Sequence, residues 1–215
     1  MTNRPPISFS VPTGSQSDKS AGELLKYSID QLSATTVGDP QWRQACQLLG
    51  QIDPAFAPLQ LEALADDRYQ VCRALSVALS QLGPSIFYDV IAALDHEHPN
   101  VRQFAAGLLY GLAQRGGVVI EDAVLPLADK LKDPDVRVRE RAVVTLSIMG
   151  PDARAAVPQL VEALSDQEEF VREWAVHALA AIGPAAADAI PALIEALLDD
   201  EPCVSQAASE AIITI

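Results

Sequence analysis

The chain contains few aromatic, cysteine and basic residues, and each scarcity argues against a class of structure or partner. Of 215 residues, 5% are aromatic, three are cysteines, and 15 lysines and arginines stand against 29 aspartates and glutamates. Three cysteines without a Cys-x-x-Cys pair argue against a disulfide framework and favour a reducing compartment. The shortage of basic residues argues against nucleic acid and anionic membrane as partners, because both require a basic surface.

Motifs for catalysis and for membrane insertion are also missing. The sequence has no Gly-rich phosphate loop, nucleophile elbow or helical paired-histidine motif, so it favours a non-enzymatic protein with no catalytic residue and no cofactor. It also lacks a run of about 18 apolar residues, which predicts a soluble, cytoplasmic protein. The segment His96-Glu97-His98 has alternating histidines but no further ligand at a familiar spacing, so we expect a solvated turn without metal.

A repeated unit dominates what is present. Aligning Val71, Val101, Val138, Val171 and Val204 places small or apolar side chains at the same following positions, and these anchors are 30, 37, 33 and 33 residues apart. The apolar positions after each anchor have helical spacing, and a shorter apolar stripe precedes each anchor, so each unit is predicted to be a helical hairpin. Self-similarity at a period of about 20 to 50 residues is typical of a solenoid, whose units bury their apolar faces against their neighbours.

Glycine, proline and aspartate mark the joints between the predicted helices. Gly-Pro pairs begin at Gly83, Gly150 and Gly183, where glycine suits a left-handed helix end and proline cannot continue the helix. An aspartate precedes most anchors by five residues, where a short polar side chain can close the turn and cap the next helix. These aspartates are Asp66, Asp133, Asp166 and Asp199. The same frame extends back to an anchor at Gln41 and gives about six units.

The Val-Arg opening, the alanine-rich second helix, the Gly-Pro joint and the Leu-x-Asp turn together resemble HEAT-like repeats, especially the short bacterial and cyanobacterial kind also found in phycobilisome lyases. The resemblance covers roughly residues 22–215. It implies an all-α fold, a right-handed α-α superhelix (solenoid) of about six HEAT-like helical hairpins. We expect this solenoid over residues 21–215 and a disordered tail over residues 1–20, which are rich in Pro, Ser, Thr and Gly.

Two functions are compatible with this resemblance. The first is a scaffold or adaptor that binds a partner protein. The alternative is a bilin lyase component or a phycobiliprotein chaperone, for which Cys46, Tyr110 and His177 are the candidate pigment contacts. If the chain is an enzyme, the resemblance implies a component of a bilin lyase.

The second helices are predicted to form the binding face. In HEAT-like proteins they line the concave side, and at about 100° per residue the positions two, six and nine after each anchor point away from the core. This row contains apolar residues inside a charged rim, as expected of a docking surface. Trp174, between neighbouring units, is either a binding anchor or a packing residue. The candidate partner-binding residues are Arg43, Arg73, Val77, Tyr110, Glu140, Val144, Glu173, Trp174 and His177.

The first helices and the last unit give two further expectations. Acidic residues recur nine residues before several anchors and predict a solvated acidic row on the first-helix side. The last unit reaches Ile215 at a core position without a polar capping repeat, which predicts a longer natural chain or self-association at that end. The acidic residues of the row are Glu62, Asp129, Glu162 and Glu195.

Overall fold

The computed structural model describes residues 17–32, 36–115 and 120–215, and over these residues the chain is helical and contains no strand. The helices follow one another as six hairpins, each made of a first and a second helix. The hairpins are α1 (Ser17–Leu32) and α2 (Pro40–Leu49); α3 (Ala57–Glu62) and α4 (Tyr69–Leu82); α5 (Phe87–Ala92) and α6 (Pro99–Arg115); α7 (Glu121–Asp129) and α8 (Val136–Met149); α9 (Val157–Ala163) and α10 (Glu169–Ile182); α11 (Ile190–Ala196) and α12 (Pro202–Thr214).

This order confirms the predicted all-α, right-handed α-α superhelix of about six hairpins. Each second helix packs against the second helix of the next hairpin along the chain. Helix α1 begins at Ser17, inside the segment 1–20 that the sequence assigns to a tail, and residues 1–16 lie outside the described residues.

The core is one continuous cluster of small and aliphatic side chains that runs through the hairpins. All five anchor valines of the repeat are completely buried. Alanines fill much of the remaining space, since helices with small side chains can approach closely. Because each hairpin buries its apolar stripes against its neighbours, the stability of one repeat depends on the repeats beside it.

Glycine ends three of the second helices with a positive φ. Gly83, Gly150 and Gly183 have φ values of 66°, 57° and 72°, which confirms that these joints require glycine. Their ψ values of −148°, −129° and −143° place them outside the left-handed helical region that the sequence predicts and near an extended region that almost only glycine adopts.

Pairs of arginine and aspartate connect consecutive hairpins at the last three joints. In each pair the arginine follows the anchor valine of one hairpin, and its guanidinium donates two hydrogen bonds to the aspartate in the turn of the next hairpin. The Nε to Oδ2 distances are 2.7 Å for Arg102 and Asp133, 2.8 Å for Arg139 and Asp166, and 2.7 Å for Arg172 and Asp199. We call each pair an Arg–Asp rung.

Each rung also holds the turns on both sides of it. Arg139 donates from Nη1 to the carbonyl oxygen of Asp133 in its own hairpin, at 2.9 Å. Asp166 accepts the backbone N–H of Glu168 at 2.9 Å, which closes the turn before α10 as the sequence predicts. The bond from the arginine to the following repeat was not predicted, because its partners lie 27 residues apart in the sequence.

The joint between the second and third hairpins has no Arg–Asp rung. Cys72 takes the arginine position, and its Sγ lies 2.9 Å from the carbonyl oxygen of Asp66, which corresponds to the carbonyl that Arg139 contacts. His96 takes the aspartate position: its Nδ1 accepts the backbone N–H of His98 at 3.0 Å. The thiol is too short to reach the next hairpin, and this joint instead has a contact between Nε2 of His96 and Oε2 of Glu62 in the second hairpin, at 3.1 Å.

Two stretches, Tyr69–Asp95 and Glu169–Ala196, are long and apolar enough in composition to span a membrane. Each contains a second helix, a Gly-Pro joint and the following first helix. The positive-φ glycine interrupts each stretch, and several of its apolar side chains belong to the core of the solenoid. By length and composition alone, two such stretches are weak evidence for a membrane protein.

Replacing Arg139 by Met should lower the free energy of unfolding by about 2–3 kcal/mol, because Asp166 and a turn carbonyl lose a charged donor in a mostly buried site. Lys132 is the matched control, since its pair with Glu162 joins the same two hairpins but is exposed. Lys132→Met should change stability by less than about 1 kcal/mol. Urea denaturation followed by circular dichroism measures both variants, and equal losses would contradict the role of the rung.

The rung should also make the free energy of unfolding depend on pH in the acidic range. The Arg172 side chain, by its hydrogen bonds, lowers the pKa of Asp199 below the usual value of 3.8. The folded protein therefore binds fewer protons than the unfolded chain in this range, so the stabilisation is complete above about pH 4 and is lost as the pH falls through the lowered pKa. Asp199→Asn should show a smaller loss of unfolding free energy between about pH 5 and pH 3 than the parent chain. An unchanged pH dependence would refute this expectation.

Candidate functional site

The nine predicted binding residues lie on the second helices, from α2 to α10. Arg43 of α2, Arg73 of α4 and Tyr110 of α6 are exposed. The others are half-buried: Val77, Glu140, Val144, Glu173, Trp174 and His177. We call the surface formed by these nine residues the second-helix face. The structure does not collect them in one pocket: Arg73 and Val77 line a groove at α6, and Glu173, Trp174 and His177 form a cluster on α10. The other four, which belong to neither, are Arg43, Tyr110, Glu140 and Val144.

The groove lies between α4, α6 and α8 and has a volume of about 280 Å³. Arg73 and Val77 of α4 are the predicted site residues that line it. Its walls are formed by Arg73, Val77, Ser80, Phe104, Leu108 and Arg141. We call it the α6 groove. The apolar walls and the two guanidinium groups at its edges give it the mixed character of a protein-binding site.

Two glycines inside α6 create this groove. Gly107 and Gly111 are four residues apart and therefore lie on one side of the helix, where α4 carries Val77 and Gln81 at the equivalent positions. A Cβ atom at Gly107 would lie 3.2 Å from the Cδ atom of Arg141, whereas one at Gly111 would meet nothing within 4 Å. Glycine inside a helix costs about 1 kcal/mol relative to alanine. This pair is the sequence signal that could have located the groove.

The electrostatics of the α6 groove differ from those of the whole chain. The chain has a net charge of −14, yet no carboxylate lines the groove. Arg73 and Arg141 form no ion pair with any residue in the described parts of the chain. The arginines of the rungs, in contrast, are neutralised by aspartates. The groove therefore presents positive charge that the protein itself does not compensate.

A buried threonine fixes α8 against α6 next to the groove. The Oγ1 atom of Thr145 lies 3.0 Å from the carbonyl oxygen of Ala106 in α6 and 2.9 Å from that of Arg141 in α8. The hydroxyl thus satisfies its hydrogen bond on the neighbouring helix inside the core. The spacing of α6 and α8 along one side of the groove is consequently set by a specific contact.

The second group of predicted residues forms an aromatic cluster on α10. The ring of Trp174 lies 5.8 Å from that of Phe170 and 5.5 Å from that of His177, measured between ring centroids. Nε2 of His177 lies 3.9 Å from Oε1 of Glu173. Trp174 packs against the core with part of its surface and is half-buried, so the side chain has both a packing contact and an accessible part.

Two of the three cysteines are buried thiols. Burial raises the pKa of Cys46 to about 11 and, together with the nearby charge of Asp66, raises the pKa of Cys72 to about 11. Cys203 is exposed at the start of α12. Residues 17–32, 36–115 and 120–215 contain no group of three or more His, Cys, Asp or Glu side chains arranged to hold a metal ion.

Comparisons with known proteins agree with this architecture. Residues 124–213 match the family profile of HEAT repeats. No curated protein sequence matches the chain.

Solved structures share the fold at low sequence identity. The complex of CpcE and CpcF of phycocyanin lyase from Nostoc sp. PCC7120 is 20% identical, with a TM-score of 0.62 over 74% of this chain and 99% of that one. A computationally designed armadillo repeat protein for modular peptide recognition is 18% identical, with a TM-score of 0.59 over 92% of each chain.

A designed armadillo repeat protein in complex with the peptide (KR)4 is 19% identical, with a TM-score of 0.54 over 87% of this chain and 99% of that one. Such identities show the fold alone. Together with the repeat pattern and the hairpin order, they show an α-solenoid fold for the chain, and the match to the HEAT-repeat family extends over residues 124–213.

Proposed function

We propose that the chain is a non-enzymatic scaffold or adaptor that binds a partner protein on its second-helix face. The observation that carries the proposal is the α6 groove, which combines apolar walls with two uncompensated arginines. A folded protein that needed these side chains only for stability would gain by pairing the arginines and by replacing the helical glycines. Both features are understandable if another molecule binds in the groove and supplies the missing carboxylate and apolar contacts.

The chemistry of the face favours a protein over other partners. Arginine, tyrosine and tryptophan dominate the energetics of protein interfaces, and Arg73, Tyr110 and Trp174 all have accessible surface here. The exposed acidic residues elsewhere on the chain would repel nucleic acid and anionic lipid. We therefore propose a cytoplasmic protein whose partner is neither nucleic acid nor membrane.

A bilin lyase component or phycobiliprotein chaperone is the second candidate. It is supported by the resemblance of the repeats to those of phycobilisome lyases and by the similar fold of the CpcE and CpcF complex. In this case Tyr110 and His177, both on the second-helix face, would contact the pigment. Cys46 does not fit this role, because the thiol is buried and its high pKa keeps it protonated.

Two further proposals concern the ends of the chain. We propose that residues 1–20 form a tail and residues 21–215 the interaction unit; residues 1–16 of this division lie outside the described residues. We also propose that the last hairpin can associate with a second copy. Leu198 and Ile213 expose 86% and 84% of their surface there, so the hairpin presents an apolar surface.

The function is tested by affinity capture from native extract with a paired set of variants. The face variant Arg73→Glu/Tyr110→Ser should retain a stoichiometric partner about ten-fold less well than the parent chain, because it reverses one charge and removes one aromatic contact. The control variant Arg154→Glu/Leu59→Ser changes an exposed arginine and an exposed apolar residue away from this face and should retain the partner.

Mass spectrometry quantifies the retained proteins, and circular dichroism confirms the helicity of each variant. Equal retention by the face variant and the parent, or no stoichiometric partner at all, would reject the proposal. A visible absorption band in the eluate, lost in the Tyr110→Ser and His177→Ala variants, would support the pigment candidate instead.

Thiol accessibility gives an independent test of the pigment candidate. Under native conditions at about pH 8, a maleimide reagent should modify Cys203 alone, because burial keeps Cys46 and Cys72 protonated and shielded. The Cys203→Ser variant should then remain unmodified until denaturant is added. Intact mass spectrometry counts the adducts, and rapid native modification of Cys46 would restore it as a pigment contact.

A further inference from the structure

We propose that the α6 groove binds an extended segment of the partner in which an acidic side chain stands next to an apolar one. The inference rests on the proposed function, because it names the chemistry of the partner at the same face. The acidic side chain would lie between Arg73 and Arg141. The apolar side chain would enter the space above Gly111.

The two arginines specify an acidic ligand group. Arg73 and Arg141 stand on different helices and line the same groove, and neither meets a carboxylate in the described residues. Of the seven other arginines whose side chains the structure describes, five have an aspartate partner, at the rungs or within a turn. A carboxylate from the partner would give these guanidinium groups the charged hydrogen bonds that the others already have.

The shape of the groove specifies an apolar neighbour for that acid. Val77, Phe104 and Leu108 form apolar walls around a floor where α6 has only glycine hydrogens. The open space at Gly111 can take a partner side chain without displacement of any residue, since nothing lies within 4 Å of a Cβ atom there. An aliphatic or aromatic side chain in this space would lose its contact with water against three apolar surfaces.

The charges along the face limit where the acid can bind. Arg43 and Arg73 stand on α2 and α4, whereas Glu140 and Glu173 stand on α8 and α10. An acidic residue is therefore attracted to the groove side of the face and repelled from the α10 side. A segment with its acid over α6 and neutral or basic residues over α10 matches this distribution.

An extended segment fits the groove because side chains of α4, α6 and α8 line it and leave a space of about 280 Å³ for single side chains. Gln103 at its border supplies a polar group for the backbone of such a segment. Arg141 is exposed, and its side chain packs over Gly107, with Cδ 3.2 Å and Nε 3.5 Å from the position that a Cβ atom would take there. The groove can therefore accept individual side chains of an extended segment.

The test uses a display library of random peptides of about 12 residues, from which peptides that bind the full chain are selected. We expect the enriched peptides to share an acidic residue next to an apolar one. One enriched peptide is then synthesised together with a counterpart in which lysine replaces the acid. Fluorescence anisotropy with the parent chain should show about a ten-fold loss of affinity for the lysine peptide.

Substitutions in the groove connect this binding to the proposed contacts. Gly111→Leu fills the open space and Arg141→Glu reverses one charge, and each should weaken the acidic peptide about ten-fold or more. Ala181→Leu, at the equivalent position of α10, and Arg154→Glu are the matched controls and should stay within about two-fold of the parent. Gly111→Leu should also melt at the same or a higher temperature, because leucine favours helix more than glycine does.

The outcomes separate this inference from the proposed function. Enriched peptides that are basic or lack an acid, no enriched peptide, or unchanged affinity in both Gly111→Leu and Arg141→Glu would overturn the groove assignment. If the peptides bind these two variants normally but lose binding to Tyr110→Ser, which changes a residue of the face that does not line the groove, the second-helix face stands and the groove assignment falls.

If all three variants bind normally, both proposals fall. Tighter binding of a single-stranded oligonucleotide than of the acidic peptide, lost in Arg141→Glu, would also overturn the inference, since the arginines would then serve phosphate groups.

Discussion

The Arg–Asp rung between consecutive hairpins is the interaction on which the regular part of this solenoid depends. Helices with alanine-rich surfaces can slide past one another with little change in buried apolar area, so the core alone specifies the register of the repeats weakly. A guanidinium that binds an aspartate of the next hairpin and a carbonyl of its own turn fixes three backbone segments at once. Arg102, Arg139 and Arg172 repeat this contact at the last three joints, and these hairpins include the region that matches the HEAT family.

One of the two joints without a rung lies beside the candidate site; at the other, between the first two hairpins, Trp42 takes the arginine position and donates to the carbonyl oxygen of Gln70. Beside the site, Cys72 and His96 replace the arginine and the aspartate: Cys72 contacts its own turn, whereas Nε2 of His96 lies 3.1 Å from Oε2 of Glu62 in the preceding hairpin. Asn100 supplies a weaker neutral connection there, because its side-chain amide donates to the carbonyl oxygen of Asp66 at 3.2 Å. The α6 groove opens between the helices that flank this joint. The repeat is therefore least regular where it has the most distinctive surface, as expected if the third hairpin is adapted to binding and the later hairpins to support.

Whether the sequence could predict a feature depends on how far apart along the chain the interacting residues lie. Apolar spacing within a hairpin is local, so the hairpins, the buried anchors and the turn-closing role of Asp166 could be predicted. The bond from Arg139 to Asp166 could not, because nothing in the spacing shows which side chains of adjacent repeats meet. Helix geometry predicted that Arg73 and Val77 share one face of α4, and both line the α6 groove. The groove escaped prediction because it depends on an absence, the missing side chains of Gly107 and Gly111, and on the neighbours that surround them.

The distribution of arginine explains how an acidic protein can still offer a positive binding groove. Aspartates of the rungs neutralise the arginines that hold the repeats together, so those residues contribute little field at the surface. The charges of Arg73 and Arg141 stay uncompensated, because no carboxylate of the described residues lines the α6 groove. Salt screens charges beyond about 8 Å at physiological ionic strength. The acidic residues of the whole chain therefore repel an approaching acidic segment only weakly. The two arginines attract the segment only when it is in contact with the groove. Such a surface would recognise its partner by the fit of a few side chains and not by long-range attraction, which favours selective over rapid binding.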